Sequence, residues 1–184
     1  TTVVLPQALT ERQLALCGRA YRMNVDEVLL TALRLAFDEW RGHAPLAVLM
    51  EGHGRATLGE VLAIGDTVGW FTAVCPVVFS SVDGNLAALL RDTKEVLRRI
   101  PAKGEHFGAL KHLALPSTGL DDSAFRAGAV MFNYLGQFDQ VVGAGALFAP
   151  APEASGDNIS PRRRRAAPLA FDGLVSGGRL RFSI

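Results

Sequence analysis

The chain has 184 residues, 49% hydrophobic and 20% charged, which excludes a disordered or low-complexity polymer. Lys+Arg number 19 and Asp+Glu 18, so the net charge of +1 argues against a dedicated nucleic-acid or membrane-surface protein. Arg34 and Asp38 interrupt the longest apolar run, so neither a transmembrane helix nor a signal peptide is expected.

Thr1–Leu5 is β-branched and short, and predicts a strand. Thr10 with Gln13 forms a T-x-x-Q capping box and predicts a helix to about Arg22. Asn24 with Glu27 repeats the signal. Behind them Val25, Val28, Leu29, Ala32, Leu33, Ala36, Phe37 and Trp40 recur at helical spacing, and Gly42 ends the helix. Leu46–Glu51 is a continuous apolar run closed by an acid, the pattern of a strand buried on both faces. Ala73–Phe79 is a second apolar strand, and Pro76 inside it requires an edge position or a bulge. Asp83 is expected to cap a third amphipathic helix carrying Leu86, Leu89, Leu90, Val96, Leu97 and Ile100, stopped by Pro101. A short helix follows around Phe107–Leu113, and a strand over Ala129–Tyr134. The stretch 143–168, rich in Gly, Pro, Ala and Ser, predicts a long loop with a short strand near Gly145–Phe148. Leu169–Val175 and Arg179–Ile184 flank Ser176-Gly177-Gly178 as a hairpin. Interspersed strands and helices give an α/β (α+β) class in one domain, residues 1–184.

Few segments carry chemistry. Leu49-Met50-Glu51-Gly52-His53-Gly54-Arg55 ends a strand in an acid, then brackets a histidine with two glycines. Glu51 is either a solvated residue at a strand boundary or a carboxylate held partly desolvated, with its pKa raised toward that of a useful base. His53 shares its face if the strand continues. Asn133 and Tyr134 end an apolar strand, as donors for an oxyanion or as structural hydrogen-bonders. Val68-Gly69-Trp70-Phe71-Thr72 reads as core packing or as a tunnel wall. Arg162–Arg165 is a phosphate contact or a solvated basic loop. Cys17 and Cys75 cannot make a disulfide framework, and suit a reducing, cytoplasmic compartment as small apolar fillers. No His/Cys/Asp cluster stands at metal-ligand spacing, no G-x-S-x-G element is present, and no phosphate loop is present.

In this order the segments resemble the epimerization domains of nonribosomal peptide synthetases. Glu51-Gly52-His53-Gly54-Arg55 is similar to that family's E-G-H-G-R-E motif, with Ala56 in place of the second acid. Thr67-Val68-Gly69-Trp70-Phe71-Thr72 is similar to T-V-G-W-F-T. Arg98-x-x-Pro101-x-x-Gly104 with Phe107-Gly108-x-Leu110 is similar to R-x-x-P-x-x-G-x-G-Y-G-x-L, with Glu105 and His106 replacing small residues. Phe132-Asn133-Tyr134-Leu135-Gly136 matches F-N-Y-L-G, and Gly173-Leu174-Val175 with Gly177-Gly178-Arg179-Leu180 is also typical.

The resemblance implies one lobe of a chloramphenicol acetyltransferase-like fold, a two-layer helix-on-sheet sandwich. The H-H-x-x-x-D-G motif of the N-terminal lobe is absent and Thr1 falls near the start of the second lobe, so the chain resembles an isolated C-terminal lobe, inactive alone. The implied reaction interconverts L and D configuration at the Cα of an aminoacyl or peptidyl thioester. The substrate arm is the phosphopantetheine of a peptidyl carrier protein, and the lobe itself binds no metal or cofactor. Glu51, Tyr134 and Asn133 carry the catalytic expectation. Arg55 is expected to position Glu51 by charge pairing, with His53 and Trp70 as substrate-orienting residues. The implied partners are the N-terminal lobe, the carrier protein and other synthetase domains. Two further readings stay open: a condensation lobe that forms amide bonds, and a non-catalytic lobe that only docks the carrier protein.

Overall fold

A computed structural model describes residues 1–20, 22–55, 63–82, 85–114, 130–140, 151, 153, 156 and 160–184. Six strands form one mixed sheet: β1 (Thr2–Val4), β2 (Leu46–Gly52), β3 (Ala73–Phe79), β4 (Val130–Gln137), β5 (Leu169–Ser176) and β6 (Arg179–Ser183). Their spatial order is β1-β6-β5-β4-β2-β3. β4 runs parallel to both β2 and β5, and the other pairs are antiparallel. β3 lies at the sheet edge, with Pro76 opposite Leu49 of β2 and no strand on its other side, a position that tolerates its missing N–H. Both chain ends meet at the opposite edge: the Thr1 amine donates to the Ile184 carbonyl at 2.7 Å, and the Ile184 amide returns a bond of 2.7 Å to the Thr1 carbonyl.

The helices α1 (Gln7–Ala20), α2 (Val25–Arg41) and α3 (Leu86–Arg98) make the second layer, in keeping with the helix-on-sheet expectation. α2 supplies the central seam: Leu29, Leu30, Leu33 and Phe37 pack on Val48, Val77, Phe79 and Phe132 in one cluster. Each such side chain, fully buried, contributes about 1.5–3 kcal/mol of transfer free energy. The Phe37 ring meets Phe171 of β5 edge-on at 6.5 Å. The Asn24 amide donates to Glu27 Oε2 at 2.8 Å, as the second capping box requires.

Several elements differ from expectation. Thr10 does not open α1, which begins after Pro6. Its hydroxyl donates to the Pro6 carbonyl at 3.2 Å and accepts from the Leu180 amide at 3.0 Å, tying the helix to β6. Asn85 caps α3, its side chain accepting from the Ala88 amide at 3.1 Å. Asp83, Ala129 and the strand expected at 145–148 lie outside the described residues. The buried stripe of α2 includes Leu30 and Arg34, while Ala32, Ala36 and Trp40 are exposed. Arg34 is 3% exposed, paired with Asp92 at 2.8 Å, donating to Thr93 and the Ser80 carbonyl, and lying over the Phe79 ring. The helix expected at Phe107–Leu113 is a single turn, α4 (Phe107–Ala109), widening into a π-helical turn over Leu110–Ala114.

β2 is fully buried on one face only. Leu46 and Val48 face the helices, while Ala47 and Leu49 are half-buried. Helices α1–α3 pack on one side, so alternate residues of the strands face away from them. That second face carries the candidate site.

Candidate active site

Glu51 is the last side chain of β2 before Gly52, and it points to the face away from the helices. The parallel register sets Val48 against Val130 and Met50 against Phe132. Carried one residue further, it brings Asn133 beside Glu51, and the Asn133 amide Nδ2 donates to Glu51 Oε2 at 3.1 Å. The next strand sets Asp172 opposite Asn133. Glu51, Asn133 and Asp172 thus form a row across three strands. Partial burial raises the Glu51 pKa, and the neighbouring Asp172 charge raises it further. A carboxylate so placed binds a proton more readily than an ordinary glutamate. The amide fixes one of its oxygens.

Tyr134 does not join this row. One residue further along β4, it turns to the helix side and packs against the core cluster. Its hydroxyl is buried with no hydrogen-bond partner among the described residues, and burial, with Asp26 and Cys17 nearby, raises its pKa. The residue therefore supports the sheet from beneath.

Arg55 does not pair with Glu51. Its guanidinium donates to the carbonyls of Ile64 (2.7 Å), Thr67 (3.0 Å) and Gly69 (3.2 Å), and stacks 4.2 Å over the Phe71 ring. Three carbonyls in one turn of chain match the donor fork of arginine, which a single carboxylate would not fill. Gly54 completes the brace. It is buried at φ +66, and a Cβ there would collide with the Phe71 carbonyl oxygen. This close approach explains the glycine after His53. His53 has left the strand: it is exposed, and its Nδ1 accepts from the Arg55 amide at 3.0 Å. Trp70, 92% exposed, and Val68, 100% exposed, project from the braced loop rather than packing into the core.

A cleft of about 1030 Å³ opens on this face, and Glu51, Asn133 and Asp172 themselves do not line it. Its lining includes Leu49 and Val74. Leu49 lies two residues from Glu51 on the same strand, and Val74 is the cross-strand partner of Glu51. Residues from 105–112 and 164–168 wall it. Among the described residues, no group of three or more His, Cys, Asp or Glu side chains could hold a metal ion. No helix is long and apolar enough among them to cross a membrane. Sequence reasoning does not single out Asp172. Its one signal is a lone charge within the strand Leu169–Val175, and its neighbour across the sheet depends on register.

The chain matches known proteins along nearly its whole length. The family profile described as "Condensation domain" matches residues 1–178. Tyrocidine synthase 1 of Brevibacillus parabrevis is 37% identical over 180 residues, covering 93% of this chain but 16% of that protein. The chain therefore spans only a small part of the synthetase that it matches. The crystal structure of the epimerization domain from the third module of tyrocidine synthetase B superposes with a TM-score of 0.84 at 32% identity. That match covers 99% of this chain and 40% of the other. The condensation domain of the Monacolin K polyketide synthase shares the fold, with a TM-score of 0.59 at 15% identity, over 99% of this chain and 40% of that one.

Proposed function

Since the chain belongs to the condensation domain family, we propose that it is the C-terminal lobe of an epimerization domain in a nonribosomal peptide synthetase. The observation that carries this reading is Glu51 on the open sheet face, oriented by Asn133 and kept proton-avid by burial and by Asp172. The greater likeness to the epimerization domain than to the Monacolin K condensation domain supports it.

In this reading the substrate is an aminoacyl or peptidyl thioester on the phosphopantetheine arm of a carrier protein. The Glu51 carboxylate takes the Cα proton, and the electron pair of the C–H bond moves into the thioester carbonyl, giving an enolate. A proton returned to the opposite face of the planar Cα inverts the centre. The N-terminal lobe supplies the donor on that side. Arg55 holds the loop 63–72 against Gly54, and His53 and Trp70 stand on the exposed rim rather than at the reacting atoms. The partners are that lobe, the carrier protein and other synthetase domains, and the compartment is the cytoplasm.

The test is Glu51→Gln in a synthetase containing both lobes, given an L-aminoacyl carrier protein. Loss of Cα deuterium exchange by about 100-fold or more is expected. Wild-type exchange would remove Glu51 from the role. The amide-forming alternative has the family profile behind it. A new peptide bond without inversion would favour that alternative.

A further inference from the structure

The Arg98-x-x-Pro101-x-x-Gly104 motif takes no part in the reaction above. In the structure it joins the helix layer to the cleft wall. α3 ends in good order: the Arg99 amide donates to the carbonyls of Glu95 and Val96 at 3.2 Å, and the Ile100 amide to that of Leu97 at 3.3 Å. Pro101 then prevents another right-handed turn. The chain reverses hand instead. Ala102 (φ 46, ψ 35), Lys103 (φ 50, ψ 25) and Gly104 (φ 82) are all left-handed. Glycine takes that conformation freely, but alanine and lysine are strained in it, because Cβ crowds the following carbonyl. Among the described residues Arg22 is the one other non-glycine with positive φ, so the strain is concentrated here.

The turn is held from one side. Gly104 is buried, and a Cβ there would collide with the Cys75 side chain on β3. Within the turn the Lys103 amide donates to the Ile100 carbonyl at 3.3 Å and the Glu105 amide to the Ala102 carbonyl at 3.0 Å. Beyond it the packing thins. No residue from 105 to 113 is buried, Leu113 is 82% exposed, and a Cβ added to Gly108 would meet nothing within 4 Å. Most of these residues wall the cleft.

We propose that Pro101–Gly104 is a strained hinge on which the wall 105–112 swings as a gate, between the seated position with Gly104 against Cys75 and a relaxed one that opens the cleft. Strain kept at two residues narrows the gap between the positions, and a thinly packed segment opens without unfolding the core. The hinge stands on this geometry alone. That the gate admits a tethered substrate rests on the epimerization reading.

Hydrogen exchange followed by mass spectrometry tests the hinge in the synthetase containing this chain. Lys103→Gly removes strain from the seated position. Amides at 105–112 are therefore expected to exchange about 5-fold more slowly, although glycine ordinarily loosens a chain. Amides of α2 should not change, since the opening is local. Ala102→Gly should act in the same direction. Unchanged or faster exchange at 105–112 in either variant would overturn the hinge. An equal slowing in α2, which marks global stability instead, would also overturn it. The gate is read by turnover. With the open position about 5-fold rarer, kcat/KM for an L-aminoacyl carrier protein should fall about 5-fold in Lys103→Gly while kcat holds. An unchanged kcat/KM beside slowed exchange would overturn the gate. Failure of the epimerization reading appears separately, as wild-type Cα deuterium exchange in Glu51→Gln.

Discussion

The two faces of the sheet are built from alternate residues of the same strands, yet they obey different rules. On the helix side Val48, Val77, Phe79, Val130 and Phe132 are 0–5% exposed, and the contacts are apolar. On the other side the same sheet presents Glu51, Asn133 and Asp172 in a polar row. Asn133 and Tyr134 show the contrast most directly: adjacent in the chain, one amide orients the carboxylate and one phenol, half-buried, packs against the core. A motif read as a string joins residues that a strand then parts. Position on one face, rather than neighbourhood in sequence, decides which of them can act together.

Mutations on each side sharpen the comparison. The largest effect is expected at the rim, where Gly54→Ala places a Cβ against the Phe71 carbonyl in left-handed backbone. The conformation alone costs about 1–2 kcal/mol, and the clash adds to it. Thermal unfolding should show a loss of about 3 kcal/mol or more, with the loop amides at 63–72 exchanging faster. An unchanged melting temperature would mean that the brace is not rigid.

On the helix side, Asp92→Ala leaves the buried Arg34 without its counter-charge, although Thr93 and the Ser80 carbonyl remain. Asp92 is itself 36% exposed, so a loss of about 2–3 kcal/mol is expected, below the range for wholly buried pairs. Calorimetry would register a fall in Tm of about 5–10 °C.

The polar face should respond in function rather than stability. Asp172→Asn removes the charge that helps raise the Glu51 pKa. The base works when deprotonated, so the acid limb of the rate profile should move to lower pH. An unmoved limb would assign the shift to burial alone. Glu51→Gln carries the opposite sign for folding. A carboxylate whose folded pKa is raised favours the fold below its unfolded pKa, and that contribution is lost as pH rises through the folded pKa. At neutral pH the neutral glutamine should therefore fold at least as stably as wild type while losing exchange activity.

The smallest effect lies at the hairpin end. The Asp139 carboxylate accepts from the amides of Gly177 and Gly178 at 2.7 and 2.8 Å, and these bonds lower its pKa. A lowered carboxylate pKa stabilises the fold above the unfolded pKa, and the benefit fades as pH falls through the folded one. In Asp139→Asn, the protection of those two amides against hydrogen exchange should fall at neutral pH and no longer weaken on acidification as it does in the wild type.

The fold is legible where a short-range pattern and a long-range contact agree. The Leu29–Leu33–Phe37 spacing and the Ser176-Gly177-Gly178 turn lead directly to α2 and the hairpin. Legibility fails where a polar group is buried by partners distant in sequence. Arg34 looks like an interruption of the apolar stripe, but Asp92 and Thr93 make it part of the packed face. Thr10 looks like a cap, but Leu180 turns it into a bridge. At the site, Glu51 and Asn133 are visible as residue types, while the hydrogen bond that joins them is not. The partners of Arg55 are not visible, because the carbonyls of Ile64, Thr67 and Gly69 carry no side-chain signal. Asp172 depends on the β4–β5 register, which no local pattern encodes.

The pairing of β1 with β6 has an architectural consequence. With Thr1 and Ile184 hydrogen-bonded across one sheet edge, polypeptide joined to either end would depart from the same corner.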